Sequence, residues 1–237
     1  QKEQRFAEGI VLGSDGSGVI EDVGEDADTL LIGMEVIINP SLNWGDNPIV
    51  QGNSFKILGM PDAGTFSDYV VVSKKQVFEK PEHLSFAEAA AVPLSALTAY
   101  RALFSKARLR AKEKVLITGI GGGAALWAFQ FAVAYQARVY VTSGSDEKLS
   151  KAKELGAVGG FNYKDPEWAK QALKESGGFD IVIDSAGGAQ FPELLIERIV
   201  KVGSNPKDIV LDPFMGSGTV ANVANRLERN YLGYEID

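Results

Sequence analysis

Two glycine-rich turns are the residues of this 237-residue chain best suited to holding a nucleotide. The first is Gly119-Ile120-Gly121-Gly122-Gly123-Ala124, and the second is Asp212-Pro213-Phe214-Met215-Gly216-Ser217-Gly218-Thr219. Each follows an apolar segment typical of a buried strand. A glycine turn between a strand and a helix lets a ligand approach the backbone, and the N–H groups of the helix N-terminus favour negative or polar atoms. Both turns are therefore candidate nucleotide sites.

The polar residues beyond the first turn indicate which dinucleotide it would take. A dinucleotide-binding fold places its ribose-reading residue about 20 residues after the glycines, near Ser143. An acid there favours NAD, whereas the hydroxyls of Ser143 and Ser145 with the cation of Lys148 favour the 2′-phosphate of NADP. In the alternative interpretation Lys148 is a solvated helix residue, and Asp146 is the acid that binds the ribose.

The hydrophobic pattern predicts the elements that must position these residues. Residues 1–85 alternate short β-type runs, among them 18–23, 35–38 and 69–72, with glycine turns, and this predicts an all-β segment. Beyond Lys114, strands are predicted at 115–118, 137–142, 160–162, 180–184, 208–212 and 231–235, and helices at 122–135, 146–155, 166–176, 190–202 and 217–228. Six strands joined by five helical crossovers predict a doubly wound, parallel, Rossmann-like α/β sheet.

The amino-acid composition argues against several kinds of catalytic site and binding partner. The chain has no Cys and one His, which argues against disulfides, thiol nucleophiles and a zinc site, because zinc prefers thiolate and imidazole ligands. A net charge of −7 argues against nucleic acid as a partner, since such binding depends on Lys and Arg at phosphates. No apolar run approaches the roughly 20 residues that span a bilayer. We expect a cytoplasmic protein with a small-molecule substrate and no membrane partner, and its composition is compatible with an oligomer.

Several segments together resemble one enzyme family. They are LGSDGSGVIEDVG at 12–24, GTFSDYV at 64–70, AAAVPLSALTAY at 89–100 and the turn at 119–124. Over about residues 9–188 the chain is similar to the zinc-free, NADPH-dependent branch of the medium-chain dehydrogenase/reductases. The resemblance implies a GroES-like β segment over 1–85, a Rossmann portion over 86–188, and hydride transfer to a carbonyl or an activated alkene. Ser14 stands where zinc members have a ligand His, and 43–46 stand in a loop that is rich in Cys there.

The same resemblance implies cofactor contacts by residue. It implies Thr98 against the cofactor, Gly119, Gly121, Gly122 and Gly123 under its pyrophosphate, and Ser143, Ser145 and Lys148 at the 2′-phosphate. It also implies that the β segment is truncated, because family members have several strands before the part matching 13–24. By the same comparison, we expect the chain to lack the segment that returns to the substrate cleft in family members. The catalytic residues thus stay unassigned, and we expect that truncation can leave the oxidoreductase inactive.

The C-terminal segment resembles a different family. Residues 191–200, 204–219 and 230–237 look like the C-terminal end of a DNA N4-cytosine/N6-adenine methyltransferase. The resemblance implies S-adenosylmethionine contacts by Asp212, Phe214, Gly216, Ser217, Gly218, Thr219 and Glu235. The Asp/Asn/Ser-Pro-Pro-aromatic turn that would orient the extruded base is missing, so we expect no DNA methylation. Instead, 189–237 would complete the parallel sheet of a chimera joined near Gly187-Gly188.

Three functions therefore stay open. The leading one is an NADPH-dependent, zinc-free oxidoreductase, because that resemblance covers most of the chain. A fragment of an S-adenosylmethionine-dependent DNA methyltransferase and a non-catalytic, nucleotide-binding chimera are the alternatives. The substrate, the oligomeric state and the natural or engineered origin of the junction are not determined by the sequence.

Exhaustive chelation is expected to leave any activity of the protein unchanged. Without Cys and with a single His, zinc would have to be held mainly by carboxylates, which match it poorly. Activity before and after chelation, together with elemental analysis, checks this expectation. Stoichiometric zinc whose removal abolishes activity would contradict it.

Overall fold

The computed structural model describes residues 11–25, 28–47, 50–185, 205–207, 209–212 and 219–233. The chain divides into two compact units, Gln1–Ser185 and Ala186–Asp237. The first unit combines an antiparallel, GroES-like β module with a parallel, Rossmann-like sheet, so the predicted α/β fold class is confirmed. In the part of the chain that the structure describes, no helix is both long and apolar enough to cross a membrane.

Short antiparallel strands build the β module. Strands β1 (Ser17–Val19), β2 (Glu35–Ile38) and β5 (Val77–Glu79) form one sheet in the order β1-β2-β5. Strands β3 (Ser41–Leu42) and β4 (Lys56–Ile57) pair with each other. The predicted run at 35–38 coincides with β2, and the run at 18–23 shortens to β1.

The strand predicted at 69–72 is wrong. This segment has the Val and Tyr content of a strand, yet the structure assigns none there, and Val71 is 99% exposed. Sequence preference for extended backbone reflects packing on a pleated, half-buried surface. No described strand pairs with 69–72, so the preference has nothing to act on.

A buried lysine organises the passage from the β module to the helices. Lys80 is 6% exposed, and its Nζ donates to the carbonyl oxygens of Leu84 at 2.6 Å and of Pro81 at 3.2 Å. The ammonium also lies 3.1 Å from Glu35 Oε2 and 5.4 Å from the centre of the Phe86 ring. The chain leaving β5 is thereby tied back to β2 just before the first helix begins.

Two short helices lead into the Rossmann portion. Helix α1 (Phe86–Ala90) begins with a capping box in which the Ser85 hydroxyl accepts from the Glu88 N–H and the Glu88 carboxylate accepts from the Ser85 N–H. Helix α2 (Pro93–Tyr100) begins with proline at its first position, where no N–H is needed. It continues into a π-helical segment, Arg101–Lys106.

Four parallel strands form the sheet of the Rossmann portion. Strands β6 (Lys114–Ile117), β7 (Arg138–Ser143), β8 (Gly159–Asn162) and β9 (Ile181–Ile183) lie in the order β8-β7-β6-β9. Helices α3 (Gly123–Ala134), α4 (Asp146–Glu154) and α5 (Trp168–Ser176) connect them. Each of these elements was predicted within one or two residues of its observed ends. Buried members of the core include Val115, Ile117, Ala125, Ala128, Phe129, Val139 and Val141.

The second unit contains a strand–helix–strand arrangement. Strand β10 (Ile209–Asp212) pairs in parallel with β11 (Asn230–Gly233), and helix α6 (Thr219–Arg226) connects them. Val223 and Ala224 of that helix are buried. The helix predicted at 190–202 lies outside the described residues. Strands β10 and β11 form a sheet of two, so their continuity with the larger sheet stays a prediction.

Replacing Lys80 by alanine is expected to lower the free energy of unfolding by about 2–3 kcal/mol, because buried carbonyl acceptors lose a charged donor. Lys56→Ala is the matched control, since Lys56 pairs with Asp62 at 3.2 Å on the surface, with both side chains nearly half exposed. That variant should cost about 0–1 kcal/mol. Urea unfolding of both variants measures the difference. Equal losses would show that the Lys80 contacts are no more important than a surface ion pair.

Candidate functional site

The first glycine turn has the backbone that a bound phosphate needs. It follows β6 directly, and Gly119 and Gly121 adopt φ values of 62° and 135°. At 135°, residues other than glycine are strained. Gly122 is the N-cap of α3, and no side chain caps this helix. The first N–H groups of a helix lack partners within it, so this N-terminus is suited to an anion.

Threonine hydroxyls fix the turn to the neighbouring strands. Gly119 N–H donates to Thr142 Oγ1 at 3.2 Å, and Ile120 N–H donates to the Thr142 carbonyl oxygen at 2.9 Å. On the other side, the buried Thr118 hydroxyl donates to Asp184 Oδ1 at 2.6 Å. The ends of β7, β6 and β9 are thus linked around the turn, which holds its N–H groups in place.

The residues predicted to bind a 2′-phosphate come together beside this turn. Ser145 is the N-cap of α4 and accepts from the Lys148 N–H at 3.4 Å, and Ser143 Oγ accepts from the Ser145 N–H at 3.1 Å. The Lys148 side chain extends over the glycines: a Cβ on Gly121 would lie only 3.0 Å from Lys148 Nζ. A cation therefore stands directly beside the phosphate-type turn.

Two further residues at this edge were not predicted. Tyr163 and Lys164 follow β8, and a Cβ on Gly144 would lie 2.7 Å from Tyr163 Oη and 3.0 Å from Lys164 Cε. The Tyr163 N–H donates to the Ser143 carbonyl oxygen at 3.1 Å, which anchors this approach. In the sequence, Tyr163 and Lys164 are marked only by their place at the end of a predicted strand. That place indicates a site residue only when β8 is known to lie beside β7.

The acidic alternative at the ribose position is engaged elsewhere. Asp146, at the start of α4, accepts a hydrogen bond from the Asn162 side-chain amide at 2.8 Å. This contact gives Asp146 a role in joining α4 to the end of β8. It weighs against the interpretation in which Asp146 is the cofactor-selecting acid.

Helix α2 lies against the glycine turn. Thr98 is exposed on α2, whereas Ser95, one turn earlier, packs on the glycines: a Cβ on Gly123 would lie 2.8 Å from Ser95 Oγ. Ser95 is thus a further residue that sequence reasoning missed. The expected contact of Thr98 with the cofactor stays a prediction.

An open cleft of about 790 Å³ lies between the β module and α2. Its lining is polar and apolar in about equal measure and consists of Asn39, Ser41, Leu42, Asn43, Trp44, Gly45, Asp46, Ser73, Lys75, Gln76, Leu97 and Arg101. Within it, the Arg101 guanidinium lies 4.2 Å from the centre of a Trp44 ring. Leu97 of α2 and Arg101 of the π-helical segment line the cleft on the side of the helices.

The S-adenosylmethionine residues fall mainly outside the described part of the chain. Phe214, Gly216, Ser217, Gly218 and Glu235 are not described. Asp212 ends β10 and Thr219 begins α6, so these two flank the second predicted turn. Among the described residues, no three His, Asp or Glu side chains cluster as metal ligands would.

Two family models match parts of the chain. A model described as the alcohol dehydrogenase GroES-like domain matches residues 1–82, and one described as DNA methylase matches residues 126–237. A zinc-type alcohol dehydrogenase-like protein of Schizosaccharomyces pombe is 40% identical over 189 residues, covering 78% of this chain and 54% of its own length. Human quinone oxidoreductase is 30% identical over 209 residues, covering 83% of this chain and 57% of its own length. The chain spans about half the length of these curated relatives.

Solved structures agree with the dehydrogenase relationship. An NAD-dependent alcohol dehydrogenase superimposes with a TM-score of 0.77 and 32% identity, covering 97% of this chain and 69% of its own. The quinone oxidoreductase of Coxiella burnetii superimposes with a TM-score of 0.68 and 28% identity, covering 98% and 65%. The chain belongs to the medium-chain dehydrogenase/reductase family of oxidoreductases.

The methylase match overlaps the dehydrogenase portion. It begins at residue 126, inside α3, and therefore includes β7, β8 and β9 as well as the second unit. The junction predicted near 187–188 and the chimeric origin stay predictions.

Gly121→Ser is expected to lower the free energy of unfolding by about 1–3 kcal/mol, because serine is strained at a φ of 135° and its Cβ meets Lys148. Gly122→Ser is the matched control. Gly122 has an ordinary φ of −79°, its Cβ would lie 3.8 Å from the nearest atom, and serine is a favoured N-cap. That change should stay within about 0.5 kcal/mol. Similar urea midpoints for the two variants would refute this account of the turn.

Proposed function

We propose that this chain binds NADP(H) at the turn Gly119–Gly123 and is an NADPH-dependent, zinc-free oxidoreductase of its family. When bound, NADPH supplies a hydride, and we propose a carbonyl or an activated alkene of a small molecule as the acceptor. The observation that most directly supports NADP is the position of Lys148 Nζ over the turn. The fold is shared with the family, whereas the activity is proposed, because the chain spans about half the length of its curated relatives.

The turn fits a pyrophosphate on two independent features. Its glycines let Lys148 and Ser95 approach the backbone closely, since a Cβ at Gly121 would lie 3.0 Å from Lys148 Nζ and one at Gly123 2.8 Å from Ser95 Oγ. The N-terminus of α3 has no side-chain cap, so its N–H groups are available in the direction of a ligand. Gly119, Gly121, Gly122 and Gly123 would hold the pyrophosphate, and Thr142 keeps the turn in register.

The neighbouring strand end fits a 2′-phosphate better than a bare ribose. Ser143 and Ser145 offer hydroxyls, and Lys148 offers a cation within the same short segment. Lys164 adds a second cation and Tyr163 a phenol beside Gly144. Cations and hydroxyl donors stabilise a phosphate by charge-assisted hydrogen bonds. An acid facing the phosphate would repel it. The first turn of α4 has two acids, Asp146 and Glu147, and Asp146 contacts Asn162.

The absence of zinc is part of the proposal. Some relatives have names that refer to zinc, but this chain has no Cys and one His. The loop of Asn43, Trp44, Gly45 and Asp46 offers amide, indole and carboxylate groups to the cleft beside α2. In this chain, substrate polarisation would therefore depend on hydrogen-bond donors.

A second candidate rests on the methylase match over 126–237. In this alternative, the segment between β10 and α6 binds S-adenosylmethionine, with Asp212, Phe214, Gly216, Ser217, Gly218, Thr219 and Glu235 as contacts. The parallel strand–helix–strand unit of β10, α6 and β11 is compatible with such a site. DNA methylation is not expected, because the base-orienting turn is missing. A third candidate is a chimera that binds nucleotides without catalysis.

NADPH is expected to bind at least about tenfold more tightly than NADH, and Lys148→Glu should abolish that preference, since a charge-assisted contact at the phosphate is replaced by repulsion. Lys151→Glu is the matched control: it makes the same charge change on the same helix, at a residue paired with Glu154 at 3.1 Å. It should leave the preference intact. Dissociation constants from calorimetric titration measure both variants.

Equal affinity of the parent protein for NADPH and NADH would refute the assignment of NADP. A loss of preference of the same size in Lys151→Glu would show that net charge, rather than Lys148, is responsible. Titration with S-adenosylmethionine in the same series distinguishes the second candidate. Thermal stabilisation by S-adenosylmethionine but by neither nicotinamide nucleotide would favour that alternative.

A further inference from the structure

We propose that Asp15, in the β module, is a positioning residue that sets the glycine turn through helix α2. Its Oδ1 accepts a hydrogen bond from the Leu94 N–H at 2.7 Å, across 79 positions of sequence. The consequence for the cofactor depends on the proposed function, whereas the consequence for the turn itself does not. Nothing in the sequence pattern assigned a role to Asp15.

Helix α2 needs this contact because it has no cap of its own. Its N-cap residue is Val92, which makes no side-chain cap, and Pro93 follows at the first position. Leu94 therefore has the first N–H that requires an acceptor. A carboxylate at this end also interacts favourably with the helix dipole. Asp15 supplies both the acceptor and the charge from another part of the fold.

Asp15 itself lies in a tightly held loop. Its carbonyl oxygen accepts from Thr65 Oγ1 at 2.6 Å, and the Thr65 N–H donates to the Gly13 carbonyl oxygen at 2.9 Å. Gly13 has a φ of 100°, and a Cβ there would lie 2.5 Å from Thr65 Oγ1. These contacts restrict the loop, so we infer that the loop fixes the position of α2.

The placement is transmitted to the turn through direct packing. Ser95, the residue after Leu94, lies so close to Gly123 that a Cβ there would be 2.8 Å from Ser95 Oγ. Further along, the rings of Tyr100 and Phe131 are 6.1 Å apart and nearly perpendicular, which joins α2 to α3. A shift at the start of α2 would therefore move the surface against which Gly123 is packed.

Partial burial of Asp15 opposes the ionisation of its carboxyl group. Burial raises the pKa of Asp15 above its ordinary value, and the hydrogen bond from Leu94 only partly opposes the rise. The folded protein then holds a proton at Asp15 more tightly than the unfolded chain does, so ionisation of this carboxyl costs folding free energy. The role that we assign to Asp15 is therefore to fix the position of α2 through the hydrogen bond from Leu94.

The test compares Asp15→Ala, Asp15→Asn and the parent by native-state amide exchange and by NADPH titration. The two reporters are the Leu94 amide and the Leu126 amide, which donates to the Gly122 carbonyl oxygen at 2.9 Å in the first turn of α3. Amides of β7 report global stability. The matched control is Asp28→Ala, because Asp28 caps a short 3₁₀ turn by accepting from the Leu30 N–H at 2.9 Å.

In Asp15→Ala we expect Leu94 and Leu126 to exchange about fivefold faster relative to β7, and NADPH to bind about fivefold more weakly, the effect of one hydrogen bond. Asp15→Asn keeps an acceptor and should give smaller changes in the same direction. Asp28→Ala should change neither reporter. Faster exchange at Leu94 alone, with Leu126 and NADPH affinity unchanged, would overturn the proposal.

Two further outcomes are also decisive. If the parent does not bind NADPH, the proposed function fails, and the Leu126 exchange rate alone decides the role of Asp15. If Asp15→Ala does not fold, Asp15→Asn decides: a faster Leu94 amide with an unchanged Leu126 amide overturns the proposal.

Discussion

The parallel pairing of β6 with β7 on one side and β9 on the other is the constraint on which the first unit depends. Parallel strands end at the same edge of a sheet, so the residues after β6, β7 and β9 meet there. Hydroxyls of Thr118 and Thr142 complete the link by bonding to Asp184 and to Gly119. The glycine turn and the group of Ser143, Ser145 and Lys148 are placed by this edge, and the pairing of β8 with β7 adds Tyr163 and Lys164.

Strands whose apolar pattern agrees with the turns and helices around them were predictable, whereas a segment with strand preference alone was not. Strands β6 to β9 are buried apolar runs separated by helices, so their hydrophobic pattern and their turns agree. Residues 69–72 have an equally strong preference for extended backbone but no described strand beside them. A segment with this preference therefore forms a strand only where another strand lies beside it.

The same distinction applies to the candidate site. The glycines at 119–123 and the group of Ser143, Ser145 and Lys148 were predictable because each lies at a fixed distance from a strand end. Tyr163 and Ser95 were missed because their relevance depends on which elements are neighbours, namely β8 beside β7 and α2 against α3. A motif gives the backbone that faces a ligand, whereas sheet order and helix packing determine which side chains surround it.

One chain can match two families because the families share most of a scaffold and differ at only a few residues. A right-handed strand–helix–strand unit has the same apolar pattern whichever nucleotide it holds, and the methylase match accordingly begins inside α3 and includes β7 to β9. The chemistry depends on the few residues at strand ends. Lys148 brings a cation to Gly121, which suits a phosphate of a dinucleotide, whereas the second turn begins with the acid Asp212. The local charge at each turn, rather than the extent of either match, is therefore the physical criterion for which cofactor each end of the chain can hold.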